Sequence, residues 1–318
     1  MLRFVSIVLL AVSLIVPGAS GQEASKSKPK IAVIPKGTTH VFWKSVEAGA
    51  KQAGEEFGAE ILWKGPLKEN DRAGQIQVVQ QFVSQGVDGI VLAPLDLKAL
   101  VAPVKAATDK KIPVVIFDSA LEGQPGKDFV SLVATNNKTG GTLGGEELAR
   151  LLNKKGKVVV LRYQVGSAST DDRESGALDA LKKAGEISIV SDNRYAGATA
   201  GEAKTQALNM IDDIRKADGI FCPNESSTLG MLLALQQTGL AGKVKFVGFD
   251  ASPPLIEALK KGEIDALVVQ NPKRMGYLAV KTLVQTLQGE KTEPNIDTGC
   301  ALVTKANLDT PEIKALLE

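Results

Sequence analysis

Two aspartates follow phenylalanine in matching settings, Phe117-Asp118-Ser119 and Phe249-Asp250-Ala251. Val87-Asp88-Gly89-Ile90 precedes the first as Ala217-Asp218-Gly219-Ile220 precedes the second. A matched pair of carboxylates can exchange protons with a substrate or accept hydrogen bonds from the hydroxyls of a ligand. Each aspartate taken alone could simply cap the next helix, but a matched pair in two halves points to a site. Other reactive groups are scarce. With one histidine, His40, and two cysteines, Cys222 and Cys300, four-ligand zinc sites of cysteines or of two cysteines and two histidines are excluded by count. No G-x-S-x-G elbow is followed by a histidine, so serine-centred hydrolysis is disfavoured. The first apolar run leads into Pro35-Lys36-Gly37-Thr38-Thr39, which is neither a dinucleotide fingerprint nor a phosphate loop. No cofactor is expected, and binding is favoured over catalysis.

Three further clusters have structural explanations. Asp171, Asp172 and Glu174 stand at an expected helix start, where carboxylates complement the helix dipole. Gly140, Gly141, Gly144 and Gly145 open a helix, and their small size suits close packing. Cys222 and Cys300 are expected to be free thiols packed as small apolar groups. Phe42, Trp43 and Phe249 are different, because an aromatic face can pack on the C–H face of a sugar while planar polar groups bind its hydroxyls.

The elements that must position these residues are legible as an alternation. Short β-branched runs (31–34, 60–63, 89–93, 113–117) are separated by amphipathic stretches (42–57, 72–85, 97–109). The pattern restarts with runs at 157–161, 187–190, 219–222 and 245–249, separated by stretches at 172–184, 200–215 and 226–238. Stretch 253–261, run 266–270 and stretch 272–288 close it. Continuous apolar strands between helices imply βαβ units on parallel sheets covered on both faces. The expected fold class is therefore α/β, with two similar lobes, each a parallel sheet flanked by helices. In such sheets ligands lie outside the carboxyl ends of the strands, where Asp118 and Asp250 stand.

The length of 318 residues suggests about two domains at ~100–200 residues each. Lys and Arg number 38 against 36 Asp and Glu, without long blocks of one sign, so nucleic acid is not an expected partner. Arg3, the apolar run from Phe4 to Val16, Pro17-Gly18 and the small residues Ala19-Ser20-Gly21 have the layout of a secretory signal peptide, residues 1–21. The run is shorter than the ~20 residues a spanning helix needs. Residues 22–29 read as a flexible lead.

Taken in order, these residues resemble the periplasmic sugar-binding proteins of the ribose-binding type, the type I solute-binding proteins of ABC importers. The resemblance rests on Ile31-Ala32-Val33-Ile34, Phe42 through Ala50, Asp88-Gly89-Ile90, Ile112-Pro113-Val114-Val115 and Asn136-Asn137 with Gly140-Gly141. It continues through Arg173-Glu174-Ser175-Gly176, Pro223-Asn224-Glu225 and Val247-Gly248-Phe249-Asp250. It implies two lobes joined by a three-crossing hinge near Ala134–Thr135, Gln270–Asn271 and Gly299–Cys300. The N-terminal lobe would then hold 30–134 and 271–299, and the C-terminal lobe 135–270 and 300–318.

The resemblance also implies that Asp118, Arg173, Asn224, Asp250 and Gln270 bind sugar hydroxyls, with Phe42, Trp43 and Phe249 as aromatic walls. Lys36 stands where ribose binders carry serine, and His40 where they carry asparagine. Ser119 replaces an arginine, and an aromatic of the second wall falls near Ala198, beside Tyr195. Ribose itself is therefore not the expected ligand, and lost bulk at Ala198 would leave room for something larger. Lys36 and Arg173 against Asp118 and Asp250 balance, which suits a neutral polyol. The implied protein is a monomeric periplasmic receptor, not an enzyme, that delivers a monosaccharide or polyol to an inner-membrane ABC permease. The alternative partner is a chemoreceptor or sensor kinase.

Overall fold

The computed structural model describes residues 27–317. The expected signal peptide lies outside the described residues, as does most of the expected lead.

The first half of the chain runs β1 (Lys30–Ile34), α1 (Val41–Phe57), β2 (Glu60–Trp63), α2 (Arg72–Gln85), β3 (Gly89–Leu92), α3 (Val101–Asp109), β4 (Val114–Phe117) and β5 (Ser131–Ala134). The second half repeats the alternation with α4 (Asn137–Leu151), β6 (Lys155–Arg162), α5 (Ala168–Lys183), β7 (Glu186–Tyr195), α6 (Ala200–Asn209), α7 (Ile211–Lys216), β8 (Gly219–Phe221), α8 (Glu225–Gln237), β9 (Lys245–Phe249), α9 (Pro253–Lys261) and β10 (Ala266–Gln270). The chain ends with α10 (Pro272–Leu287), β11 (Asn295–Asp297), β12 (Cys300–Thr304) and α11 (Pro311–Leu317).

Two six-stranded sheets result, in the orders β11-β5-β4-β3-β1-β2 and β12-β10-β9-β8-β6-β7. All pairings are parallel except β10 with β12. The chain passes between sheets three times: after β5, after β10, and between β11 and β12. The central strands are buried on both faces, and their residues alternate between layers. Ile31 and Val33 pack with α1 and α10, while Ala32 and Ile34 pack with α2 and α3. Val158 and Val160 divide from Val159 and Leu161 in the same way. This period of two is what a doubly covered sheet requires.

Boundaries shift where local hydrogen bonds compete with the helix. α3 starts at Val101 rather than near 97, because the Asp96 carboxylate accepts the N–H groups of Lys98 and Ala99 and holds a turn there. The stretch expected as one helix over 200–215 is divided at Met210 into α6 and α7.

In each lobe the helix arriving from the other lobe packs backbone to backbone on the helix after the first strand. A Cβ on Gly141 of α4 would lie 2.0 Å from the Arg173 carbonyl oxygen of α5, and one on Gly176 2.3 Å from that of Lys138. In the other lobe, a Cβ on Gly49 would lie 1.8 Å from the Lys273 carbonyl oxygen, and one on Gly276 2.1 Å from that of Val46. The glycine-rich stretch thus serves close packing, and it sets the height of Arg173 above the sheet. Gly141→Val is expected to destabilise the protein by roughly 3 kcal/mol or more, beyond ordinary overpacking, because the obstacle is backbone. Gly201→Ala, where a Cβ meets only Thr199 Oγ1 at 4.0 Å, should be neutral or stabilising by up to about 1 kcal/mol. Denaturant unfolding of the two variants checks the contrast, and equal midpoints would contradict it.

Candidate ligand-binding site

Between the lobes, at the carboxyl ends of both sets of strands, lies a polar cleft that encloses about 330 Å³ with its open mouth included. Nine of the ten expected residues line it: Lys36, His40, Phe42, Trp43, Asp118, Arg173, Asn224, Asp250 and Gln270. Phe249 does not. Its ring is fully buried beneath Arg173, whose guanidinium carbon lies 4.1 Å from the ring centroid, so it orients the arginine instead of forming a wall. Glu69, Tyr163, Ser169, Thr170 and Glu225 complete the lining and were missed.

The two aspartates occupy equivalent places, immediately after β4 and β9. Both are left-handed, with φ of 62° at Asp118 and 68° at Asp250, a region aspartate enters more readily than most residues. Neither caps the following helix. Asp118 Oδ2 lies 2.9 Å from Lys36 Nζ, which also donates to Ser169 Oγ of the other lobe at 2.9 Å. Asp250 accepts the Glu225 N–H at 2.9 Å and Gln270 Nε2 at 2.7 Å. Burial raises the Asp250 carboxyl above its ordinary range, against the pull of nearby Arg173.

Arg173 is held from three sides. Nε donates to Asn137 Oδ1 at 2.8 Å, Nη1 donates to the Pro223 carbonyl at 3.1 Å, and Phe249 lies beneath. These bonds leave Nη2 uncommitted. Asn224, by contrast, is largely consumed as the N-cap of α8, where its Oδ1 accepts the Ser227 N–H and hydroxyl and its Nδ2 donates to Ser226 Oγ. Gln270 Oε1 is buried without a protein partner, which is costly unless a donor arrives.

A second network fixes the N-terminal end of α1. Glu69 accepts from Trp43 Nε1 at 2.8 Å and from the Tyr163 hydroxyl of the other lobe at 2.8 Å. His40 Nδ1 lies 2.7 Å from Glu69 Oε1, and Nε2 lies 3.1 Å from the Ala198 carbonyl. Both ring nitrogens face acceptors, so the geometry requires an imidazolium. Burial would lower the His40 pKa, but Glu69, Glu225 and the Ala198 carbonyl outweigh it and raise it to about 9. Burial would raise the Glu69 carboxyl, yet His40, Lys36 and the Trp43 N–H hold it at about 2. Trp43 stacks edge-on with Phe42 and Phe117 at 5.0 and 6.1 Å, so it belongs to core and cavity alike.

Four expectations need correction. Ala198 is 1% exposed and does not line the cavity; the His40 ring reaches its carbonyl, so the lost bulk leaves no added room. Tyr195 is exposed and also absent from the lining. The balance of two charges against two becomes three basic groups, Lys36, His40 and Arg173, against four acidic ones, Glu69, Asp118, Glu225 and Asp250. Glu174 is not at the dipole of α5 but buried, accepting the Tyr163 N–H at 2.8 Å, and burial raises its pKa to about 7. Cys222 and Cys300 are free thiols, as expected. Among the described residues no cluster suits a metal ion, and no helix is long and apolar enough to cross a membrane.

The His40–Glu69 pair makes stability depend on pH. The histidine's contribution is complete below its ordinary value of 6.5 and is lost as pH rises through about 9. The glutamate's contribution is complete above 4.5 and is lost as pH falls through about 2. Thermal melts of wild type and His40→Asn across pH 6.5 to 9 should therefore show wild type losing stability more steeply. Parallel curves would remove the pair from the pH response.

Residues 31–291 match the family described as periplasmic binding protein domain. The chain is 30% identical over 298 residues to the D-ribose/D-allose-binding protein of Pseudomonas aeruginosa, with 92% of each chain covered. It is 38% identical to an ABC transporter solute-binding protein of Agrobacterium vitis solved with bound D-fucose, with a TM-score of 0.88 over 91% of this chain and 100% of that one. A carbohydrate transporter solute-binding protein of Agrobacterium radiobacter, solved with D-arabinose, is 35% identical at a TM-score of 0.88, with 92% and 100% covered. These relatives are named for binding rather than for catalysis. With two parallel-dominated sheets, three chain crossings and a polar cavity at the strand ends, the chain belongs to the periplasmic binding protein family.

Proposed function

We propose that this protein is the periplasmic receptor of an ABC sugar importer, exported by residues 1–21, and that it captures a neutral monosaccharide or polyol between its lobes. The lobes are 30–134 with 271–299, and 135–270 with 300–318. The observation that carries this reading is the convergence of Asp118 and Asp250, one from each lobe, on one buried cavity with uncommitted groups of both polarities. Arg173 Nη2 offers donors and Gln270 Oε1 an acceptor. A polyol supplies hydroxyls that satisfy both, and the aromatic rings of Phe42 and Trp43 in the lining suit its C–H face. The relatives solved with D-fucose and D-arabinose support a sugar of this size. An excess of acidic over basic groups disfavours sugar acids, which would bring a further negative charge into a buried site.

The mechanism is a population shift. A ligand that contacts both lobes together binds the closed arrangement better, and that difference drives closure. The closed form is then the species presented to the permease.

Thermal unfolding against pentoses, hexoses, polyols, sugar acids and nucleosides tests the reading. A ligand at about 100 times its Kd adds about 2.7 kcal/mol of stability, and the expected response is confined to neutral sugars or polyols. Stabilisation by sugar acids or nucleosides alone would overturn it. Asp250→Asn keeps the side-chain shape but removes a charged acceptor, whose hydrogen bonds are worth about 1.5–3 kcal/mol. Affinity should fall by roughly ten- to a hundredfold, and the ligand-free melting temperature should fall only in part, because the new NH₂ would face either the Glu225 N–H or Gln270 Nε2, both of which the carboxylate accepts. A large loss of ligand-free stability with unchanged affinity would make Asp250 a structural residue only.

A further inference from the structure

Helix α1 is not capped by its own segment. Its N-cap residue, His40, makes no side-chain capping bond, and its first turn carries no acidic residue. The first N–H groups of a helix are nevertheless unsatisfied donors that need partners. Here the partner is Glu225, from the opposite lobe. Its Oε1 accepts the Val41 N–H at 3.3 Å and its Oε2 the Phe42 N–H at 3.0 Å.

Glu225 is itself well anchored. It is the first residue of α8, it is 6% exposed, and its backbone N–H donates to Asp250 Oδ2. Its carboxylate forms no ion pair with a lysine, arginine or histidine among the described residues, unlike Asp118 with Lys36 and Glu69 with His40. The positive end of α1, with the His40 imidazolium near it, takes the place of a directly paired cation. The arrangement exists only while the lobes touch, since separating them returns both N–H groups and the carboxylate to water.

We infer that Glu225 is a positioning residue for lobe closure. Its carboxylate completes α1 from across the cleft and so sets ligand affinity through the free energy of the closed state, not through contact with the ligand. This rests on the sugar-capture reading above, because affinity scales with the fraction of protein in the competent, closed form. Loss of an N-cap acceptor corresponds to roughly a five- to tenfold change in such an equilibrium. Every ligand should feel the same factor.

The experiment compares wild type, Glu225→Ala and Glu225→Gln by titration calorimetry with D-ribose, D-allose, D-arabinose and D-fucose. Small-angle X-ray scattering of the ligand-free proteins accompanies it. Glutamine preserves shape but offers one acceptor oxygen and sets its NH₂ against the second N–H, so it stands in should the alanine variant fail to fold. Expected for both variants are a common loss of about five- to tenfold in affinity, an unchanged ranking of the sugars and a larger ligand-free radius of gyration. A changed ranking would make Glu225 a ligand contact and overturn the inference. Wild-type affinity and radius in Glu225→Gln would overturn it as well, by showing that the second bond is idle. If none of the four sugars binds wild type, it is the sugar reading that is at fault; the scattering comparison alone then decides the clasp, with an unchanged radius counting against it.

Discussion

A carboxylate removed from water must find donors or surrender its charge, and this cleft buries four of them within one cavity. Each is met differently. Lys36 pairs with Asp118; His40, Trp43 and Tyr163 surround Glu69; the Glu225 N–H and Gln270 serve Asp250; and the start of α1 serves Glu225. The titration shifts follow from the quality of these partners. Glu69, beside a cation and two neutral donors, is pulled down despite burial, whereas Asp250 and Glu225 are raised because burial outweighs what they receive. Tyr163 and Glu225 reach across from the far lobe. The electrostatic solution is therefore complete only when the lobes are together, which ties charge satisfaction to conformation.

The backbone makes that solution possible by delivering polar groups to one place. Parallel strands all end on the same side, so residues just past β1, β4, β6, β8 and β9 converge without long loops. Two of those ends, Asp118 and Asp250, adopt a left-handed conformation that costs a non-glycine residue some free energy. Its recurrence in both sheets marks a shared requirement of the cavity rather than an accident of one turn. The buried glycines play the complementary part. By letting α5 lie directly on α4, they place Arg173 where Phe249 can support its guanidinium from below.

Much of this was legible in the sequence, for identifiable reasons. Strands such as 31–34 and 245–249 announce themselves because burial on both faces forces continuous apolar runs. Strands β5, β11 and β12 were not anticipated: β11 (Asn295–Asp297) carries no apolar run, while β5 (Ser131–Ala134) and β12 (Cys300–Thr304) follow another strand without an intervening helix and so fall outside the alternation. Asp118 and Asp250 were recognisable through repetition, and Arg173 through its motif. Glu69 and Tyr163 were not, because they sit in loops after β2 and β6 with no repeated partner to flag them. The position just beyond a strand end was the one available signal. Phe249 was misplaced for a related reason: adjacency to Asp250 does not say on which side of the strand a ring points, and here it points into the core.

The departures from the ribose-binding pattern make physical sense as pairs. Where the resemblance leads one to expect an arginine after the first-lobe aspartate there is Ser119, whose hydroxyl accepts the Ser169 N–H at 3.1 Å. The positive charge beside Asp118 comes instead from Lys36, two residues beyond β1, and it bonds to Ser169 as well. Likewise the wall that would hold an aromatic near Ala198 is met by the larger His40 ring from the opposite lobe. In each pair the net charge or bulk is kept while its origin moves to another element. A lysine ammonium is a compact point charge with rotatable donors, whereas an arginine presents a fixed planar fork. Moving the cation thus alters the directions in which hydroxyls can be met without altering the charge they meet. On the proposed sugar-capture reading, discrimination among neutral sugars is consequently a matter of hydroxyl geometry around Lys36, Asp118 and Arg173.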